Sequence, residues 1–160
     1  ILHSQSLLLA FADDLTVSRS GNSKELVIAN IQRDLNTLQD WCTKWGFYIN
    51  TDKTKAVIFC KNTKDLQKLK KDLVLTLNKN PIEFVSCFKY LGIWFDQSFT
   101  FRNHINNIID KCNKRINILK CLLKLPWCNS RDSLLLFYMN SIRSVIDYGC
   151  NLYDVAAQSH

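Results

Sequence analysis

The spacing of apolar positions changes along this chain, and each change marks an element. Residues 7–17 form an apolar run, Leu7-Leu8-Leu9-Ala10-Phe11-Ala12 and Leu15-Thr16-Val17, interrupted by Asp13-Asp14 and followed by the turn-forming Ser18-Arg19-Ser20-Gly21-Asn22. The run is too short for a membrane span. It predicts two short buried strands joined by a tight turn that carries both acids. From 22 to 45 the period becomes helical: Ile28, Ile31, Leu35, Leu38, Cys42 and Trp45 lie on one stripe. Asn22 with Glu25 resembles a capping box, and Gly46 suits the position just past the last turn.

Phe47-Tyr48-Ile49 and Ala56–Cys60 read as strands around the polar loop 50–55, and residues 61–72 as a lysine-rich solvated helix or excursion. Leu73–Leu77 and Ile82–Val85 flank Asn78-Lys79-Asn80-Pro81 in a hairpin-like arrangement. Tyr90-Leu91-Gly92-Ile93-Trp94-Phe95 is an apolar run broken by one glycine, and a strand glycine marks close approach of a backbone or ligand. After residue 102 the period is helical again, with Ile105, Ile109, Cys112, Ile116, Leu119 and Leu123 on one stripe and Lys111 and Lys114 turned away. Pro126 ends that helix and Ser130 caps the next, whose apolar face is Leu135, Tyr138, Ile142 and Val145. The fold class is α+β: an antiparallel sheet with a packed helix, then a small helical unit, with the boundary near 97–102.

At 160 residues the chain holds one domain or two small ones, and 47% hydrophobic with 22% charged residues is a globular composition. The net charge of +7 is uneven: residues 1–60 carry six basic and six acidic side chains, and the surplus lies after residue 60. A basic surplus beside a buried acidic pair suits a polyanion held next to a metal site; the alternative is a merely soluble basic surface. Seven cysteines are an odd number without Cys-x-x-Cys spacing, which argues against zinc and a secreted disulfide frame. Most fall in apolar patterns and read as buried thiols in a reducing, intracellular compartment. His3, His104 and His160 form no ligand pattern. No apolar stretch is long enough for a membrane helix. The chain lacks an initial Met and opens directly on a strand pattern, which reads as a fragment.

Adjacent acids in an apolar setting need a partner or a cation, and oxygen-only ligands favour Mg²⁺ or Mn²⁺. A solvated turn pair is the alternative.

At these residues the chain resembles the reverse transcriptase of non-LTR (LINE-type) retrotransposons, from the palm's catalytic hairpin through the thumb. Phe11-Ala12-Asp13-Asp14 resembles the aromatic-x-Asp-Asp box, with Phe in place of the commoner Tyr. Leu38 to Trp45 with Gly46-Phe47-x-Ile49-Asn50-x-x-Lys53-Thr54 is similar to the palm helix and its lysine-bearing loop. Phe88-Lys89-Tyr90-Leu91-Gly92-Ile93, then Phe99-x-Phe101-x-x-His104-Ile105, resembles the primer-grip hairpin and the start of the thumb. Ser141 to Asp147-Tyr148-Gly149 is similar to the last thumb helix.

The resemblance implies a palm portion at 1–98 and a helical thumb at 99–160. It implies Asp13 as a metal ligand with Asp14 supporting it, and a two-metal nucleotidyl transfer. Lys53 would be the general acid, with Lys55 its rival and an exposed loop lysine the alternative. Phe11, Ala12, Tyr90, Leu91 and Gly92 would lie at the nucleotide and primer, although Phe11 and Ala12 also read as core. Lys111 and Lys114 would contact duplex phosphates, or only solubilise the helix. The implied partners are an RNA template, a DNA primer and deoxynucleoside triphosphates, in nucleus and cytoplasm. A further catalytic aspartate and the fingers are expected upstream, so residues 1–160 alone should not polymerise. A non-catalytic nucleic-acid-binding remnant of a retroelement is the alternative reading. A Mg²⁺-dependent phosphohydrolase would need more clustered acids or histidines than the sequence supplies.

Overall fold

The computed structural model describes residues 6–60, 73–125 and 130–153. The lysine-rich 61–72 segment, Pro126, Cys128, His3 and His160 lie outside the described residues. Contacts divide the chain into two compact units, Ile1–Val85 and Ser86–His160. The architecture is mixed, helices with small sheets, as an α+β pattern requires.

The first unit opens with strands β1 (Leu7–Phe11) and β2 (Asp14–Ser18), paired antiparallel in the register Phe11↔Asp14 to Leu7↔Ser18. This is the expected hairpin with the acids at its tip. The expected burial does not hold: Leu7, Leu8, Leu9, Phe11 and Leu15 are exposed, as are both acids. The sheet is two-stranded, and a lone hairpin has too little surface around it to enclose its own side chains.

Helix α1 (Lys24–Trp45) starts one residue later than the Asn22–Glu25 box implies. Ser23 is the cap: its hydroxyl accepts from the Leu26 N–H at 3.4 Å and donates to Glu25 at 3.0 Å. Gly46 ends the helix in left-handed backbone at φ 74°, and the Phe47 N–H returns to the Cys42 carbonyl at 2.8 Å. Along the apolar stripe Leu35 and Cys42 are buried, but Trp45, in the last turn, is exposed.

Phe47-Tyr48-Ile49 is not a strand, and the second predicted strand shrinks to β3 (Lys55–Ala56). β4 (Thr76–Leu77) and β5 (Asn80–Pro81) form a hairpin tighter than expected. Its loop is Asn78-Lys79, both at positive φ, which is the type I′ turn that matches strand twist. β6 (Glu83–Phe84) pairs parallel with β3. Leu35 of α1 with Leu75, Leu77 and Ile82 makes this unit's core.

The second unit begins with β7 (Cys87–Tyr90) and β8 (Ile93–Asp96), antiparallel with Tyr90 opposite Ile93. The run read as a strand broken by glycine is thus a hairpin with Leu91-Gly92 as its turn. Helix α2 (Arg102–Leu122) follows a loop that Asp96 organises. Its carboxylate accepts from the Ser98, Thr100 and Phe101 N–H groups and from the Thr100 hydroxyl, at 2.7–3.1 Å. Phe99 and Phe101 both sit at positive φ in this loop. Of the predicted stripe Cys112 is buried and Ile105, Ile116 and Leu119 are half-buried, whereas Ile109 and Leu123 are exposed; His104, outside the stripe, is buried as well.

Helix α3 (Arg131–Phe137) passes into a π-helical stretch, Tyr138–Arg143, and then α4 (Ser144–Asp147); α5 (Cys150–Tyr153) ends the described chain. Ser130 caps α3 by position without a side-chain hydrogen bond. Of the predicted apolar face Ile142 is buried, but Leu135 and Tyr138 are exposed. Arg115 of α2 donates to the Ser141 carbonyl inside that stretch. Ile93 and Phe101 form the unit's small core, with Phe95 and Tyr153 packed on it. Six described cysteines are free thiols; Cys42 and Cys112 are buried, but Cys121 and Cys150 are exposed, against the expectation of buried thiols. Among the described residues no helix is long and apolar enough to cross a membrane.

Candidate active-site hairpin and its supports

A two-residue loop between paired strands must reverse the chain within two residues, and primed turns do this at the cost of positive φ. Ala12 supplies it, at φ 51°. A side-chain-bearing residue in left-handed backbone costs about 1–2 kcal/mol, and such strain concentrates at functional sites. The turn puts Asp13 in the loop and Asp14 at the first position of β2, both exposed at the hairpin tip.

The other end of the hairpin is anchored. Ser6, just before β1, donates to the Asp34 carboxylate at 2.5 Å, and Arg19, just after β2, donates to the Ser6 hydroxyl at 2.9 Å. Asp34 of α1 is only 1% exposed. Burying a carboxylate is costly unless it is hydrogen-bonded, so this cluster fixes the feet of the hairpin to the middle of α1. Sequence reasoning missed Asp34: it sits beside Leu35 on the stripe, and an acid there reads as solvent-facing until the partners are seen.

Lys53 lies in a loop set by Asn50. The Asn50 side-chain oxygen accepts from the Lys53 N–H at 3.1 Å, and the Thr54 hydroxyl donates to the Asn50 carbonyl at 2.8 Å. The Asn50-x-x-Lys53-Thr54 spacing is therefore an Asx-type turn that presents the lysine. Lys53 is exposed and has no ion pair among the described residues, whereas Lys55 pairs with Glu83 at 2.7 Å.

In the second unit the Tyr90–Ile93 hairpin turns through Leu91 at φ 47° and Gly92 at φ 85°, again type I′. Gly92 lies in this turn beside Tyr148, whose ring atom would be 3.3 Å from an added Cβ. Lys111 and Lys114 are both exposed on α2. His104 is buried against Tyr153, ring centroids 5.3 Å apart. Burial pushes its pKa below the ordinary histidine range, and the Lys111 charge adds to this.

The donor chemistry at Asp13 and Asp14, hard oxygen only, fits Mg²⁺ or Mn²⁺. The donor number is short: among the described residues no three His, Cys, Asp or Glu gather as a metal site.

Residues 1–95 match the family described as "Reverse transcriptase (RNA-dependent DNA polymerase)", which spans both the Asp-Asp hairpin and the Asn50 loop. The chain belongs to this family. Along 154 residues this reverse transcriptase chain is 27% identical to the "RNA-directed DNA polymerase from mobile element jockey" of Drosophila funebris, covering 96% of the chain and 16% of that relative. It is 27% identical over 156 residues to the "Probable RNA-directed DNA polymerase from transposon BS" of Drosophila melanogaster, covering 98% and 17%. With the X-element polymerase of the same fly it shares 24% over 159 residues, covering 99% and 17%. The resemblance to non-LTR retrotransposon reverse transcriptases therefore holds across nearly the whole chain, which spans about a sixth of the length of these relatives. No solved structure matches it.

Proposed function

We propose that this chain is the part of an RNA-directed DNA polymerase that carries the catalytic hairpin, with residues 1–98 belonging to the palm and 99–160 to the thumb. The observation that carries this reading is the Phe11-Ala12-Asp13-Asp14 turn. Two consecutive acids, one in a strained two-residue loop and one at the start of the next strand, lie at a hairpin tip inside the segment that matches the family.

In this reading Asp13 is the metal ligand, and Asp14 adds negative charge beside it. A pair of bound divalent ions would supply Lewis-acid activation of the primer 3′-oxygen and charge neutralisation at the leaving phosphate. Phe11 and Ala12 border the primer end, where the small Ala12 side chain leaves room for a nucleotide. Lys53 donates a proton to the departing pyrophosphate; the engagement of Lys55 with Glu83 favours Lys53 over its neighbour. Tyr90, Leu91 and Gly92 form the primer-facing turn, and Lys111 and Lys114 neutralise phosphates of the template–primer duplex. The substrates are RNA template, DNA primer and deoxynucleoside triphosphates. Two carboxylates complete neither ion's sphere, so residues 1–160 by themselves are inactive and need a further aspartate from upstream palm sequence.

The test is primer extension with this chain supplied together with upstream palm and fingers. Asp13→Asn should abolish incorporation while leaving most template–primer binding intact. Incorporation that survives Asp13→Asn, or synthesis by residues 1–160 alone, would show that the catalytic carboxylates lie elsewhere.

A further inference from the structure

Tyr148 closes the last long helix, and nothing in the mechanism above uses it. Its surroundings give it a task. The hydroxyl donates a hydrogen bond to the Leu91 carbonyl at 2.5 Å, across 57 residues of sequence. Its ring lies against Gly92, where a Cβ would meet Cε1 at 3.3 Å and the hydroxyl oxygen at 3.6 Å. The next residue, Gly149 at φ 73°, faces Ile93, and a Cβ there would stand 2.6 Å from the Ile93 side chain.

These contacts fall on three consecutive residues of one turn, Leu91, Gly92 and Ile93. Both glycines take left-handed backbone, which favours glycine, and each lies against a side chain of the other segment, Tyr148 at Gly92 and Ile93 at Gly149. Leu91 is also held in left-handed backbone, a conformation a leucine leaves readily when nothing retains it. A two-stranded hairpin is only marginally ordered by itself. The carbonyl of its first loop residue, which would ordinarily face water, is here taken by a phenol anchored at the end of a helix.

We infer that Tyr148 is a positioning residue for the primer strand: it latches the Leu91–Gly92 turn in the one shape that the hairpin presents to its ligand. The inference rests on the primer-grip reading of that hairpin. In-line attack demands that the primer end be held within a fraction of an ångström, so a loosened turn should weaken primer engagement before it alters the chemistry at the acids.

The experiment uses a polymerase containing this chain and reads two quantities. One is amide hydrogen exchange across residues 88–95. The other is KM for template–primer set against kcat. Tyr148→Phe keeps the ring on Gly92 and removes only the donor; it should raise exchange in 88–95 by roughly three- to tenfold, the worth of one exposed hydrogen bond. KM for template–primer should rise by a similar factor while kcat stays within about twofold, the signature of lost binding and not of lost transition-state contacts. Gly92→Ala should reproduce the effect from the other side of the contact. Combined with Tyr148→Phe it should cost less than the sum, because both act on the same latch. Tyr138→Ala, an exposed aromatic loss in the same unit, should change neither quantity.

Unchanged exchange in Tyr148→Phe overturns the latch. Raised exchange with an unchanged KM overturns the role in primer positioning and places the failure in the primer-grip reading. Raised exchange spread over α2 as well shows Tyr148 to be a general packing residue and overturns the inference.

Discussion

Ala12 shows how much one backbone angle decides. At φ 51° it bears the cost of reversing the chain where Asp13 and Asp14 sit at a hairpin tip. Ala12→Gly should relieve strain and change stability by no more than about +1 kcal/mol, whereas Ala12→Val, β-branched in left-handed backbone, should destabilise by about 1–2 kcal/mol. Denaturant unfolding of the two variants measures this. His104 offers a second residue-scale test. Its pKa is lowered by burial and then by Lys111, and neither ring nitrogen has a hydrogen-bond partner among the described residues. A depressed folded pKa means that the unfolded chain binds the proton more readily. Stability is therefore full above the ordinary histidine range, about pH 6.5, and declines as pH falls through it. His104→Phe should flatten that decline between pH 7 and 5 while keeping the edge contact to Tyr153. An unchanged pH profile of the midpoint would remove His104 as its source.

At the scale of elements, most anchoring comes from single polar side chains whose partners are distant from the apolar pattern. Asp96 gathers three backbone N–H groups and a hydroxyl ahead of α2 and holds Phe99 and Phe101 in left-handed backbone. Partial burial pushes its carboxyl pKa up, but the hydrogen bonds from Thr100, Phe101 and Ser98 outweigh this and the net shift is downward. The stability it contributes is thus present above the ordinary aspartate pKa, about 4, and lost as pH falls through the lower folded value. Asp96→Ala should destabilise the second unit by about 1–2 kcal/mol, with a smaller loss for Asp96→Asn, read by thermal unfolding at neutral pH. Asp34 does for the acidic hairpin what Asp96 does for α2. Asp34→Ala removes the buried acceptor of the Ser6 hydroxyl, to which Arg19 in turn donates, and should loosen the hairpin, seen as faster exchange across residues 7–18.

At the scale of the molecule, the described residues of each unit form a small core and leave many large apolar side chains exposed. Charge is the long-range signal. The +7 surplus lies after residue 60, and α2 exposes Lys111 and Lys114. Template–primer binding by the 160-residue chain should weaken steeply with salt through counterion release, and each lysine that meets a phosphate should contribute about one unit of the log–log slope. Lys111→Ala with Lys114→Ala should lower the slope by about 2 without altering sequence preference, measured by fluorescence anisotropy across salt concentrations. A slope indifferent to both substitutions would mark those lysines as solubilising only.

Local rules made several parts legible from sequence. The acid-bearing hairpin, α1 with its Gly46 stop and the α2 helix follow from period and turn chemistry, which act within a few residues. The family followed from four short motifs in order. What sequence could not decide is what closes over each face. The apolar β1–β2 pattern promises a buried sheet, yet burial requires neighbouring layers, and residues 7–11 remain exposed in this unit. On α2 the period marks Cys112 correctly but not His104, which is buried because packing partners and not the helix period alone choose the buried positions. Asp34, Asp96 and Tyr148 are ordinary polar letters in the chain. Each becomes a support only when folding brings it within hydrogen-bond reach of its partner, a distant hydroxyl for Asp34, a strained loop backbone for Asp96 and a distant carbonyl for Tyr148, and tertiary structure sets that reach.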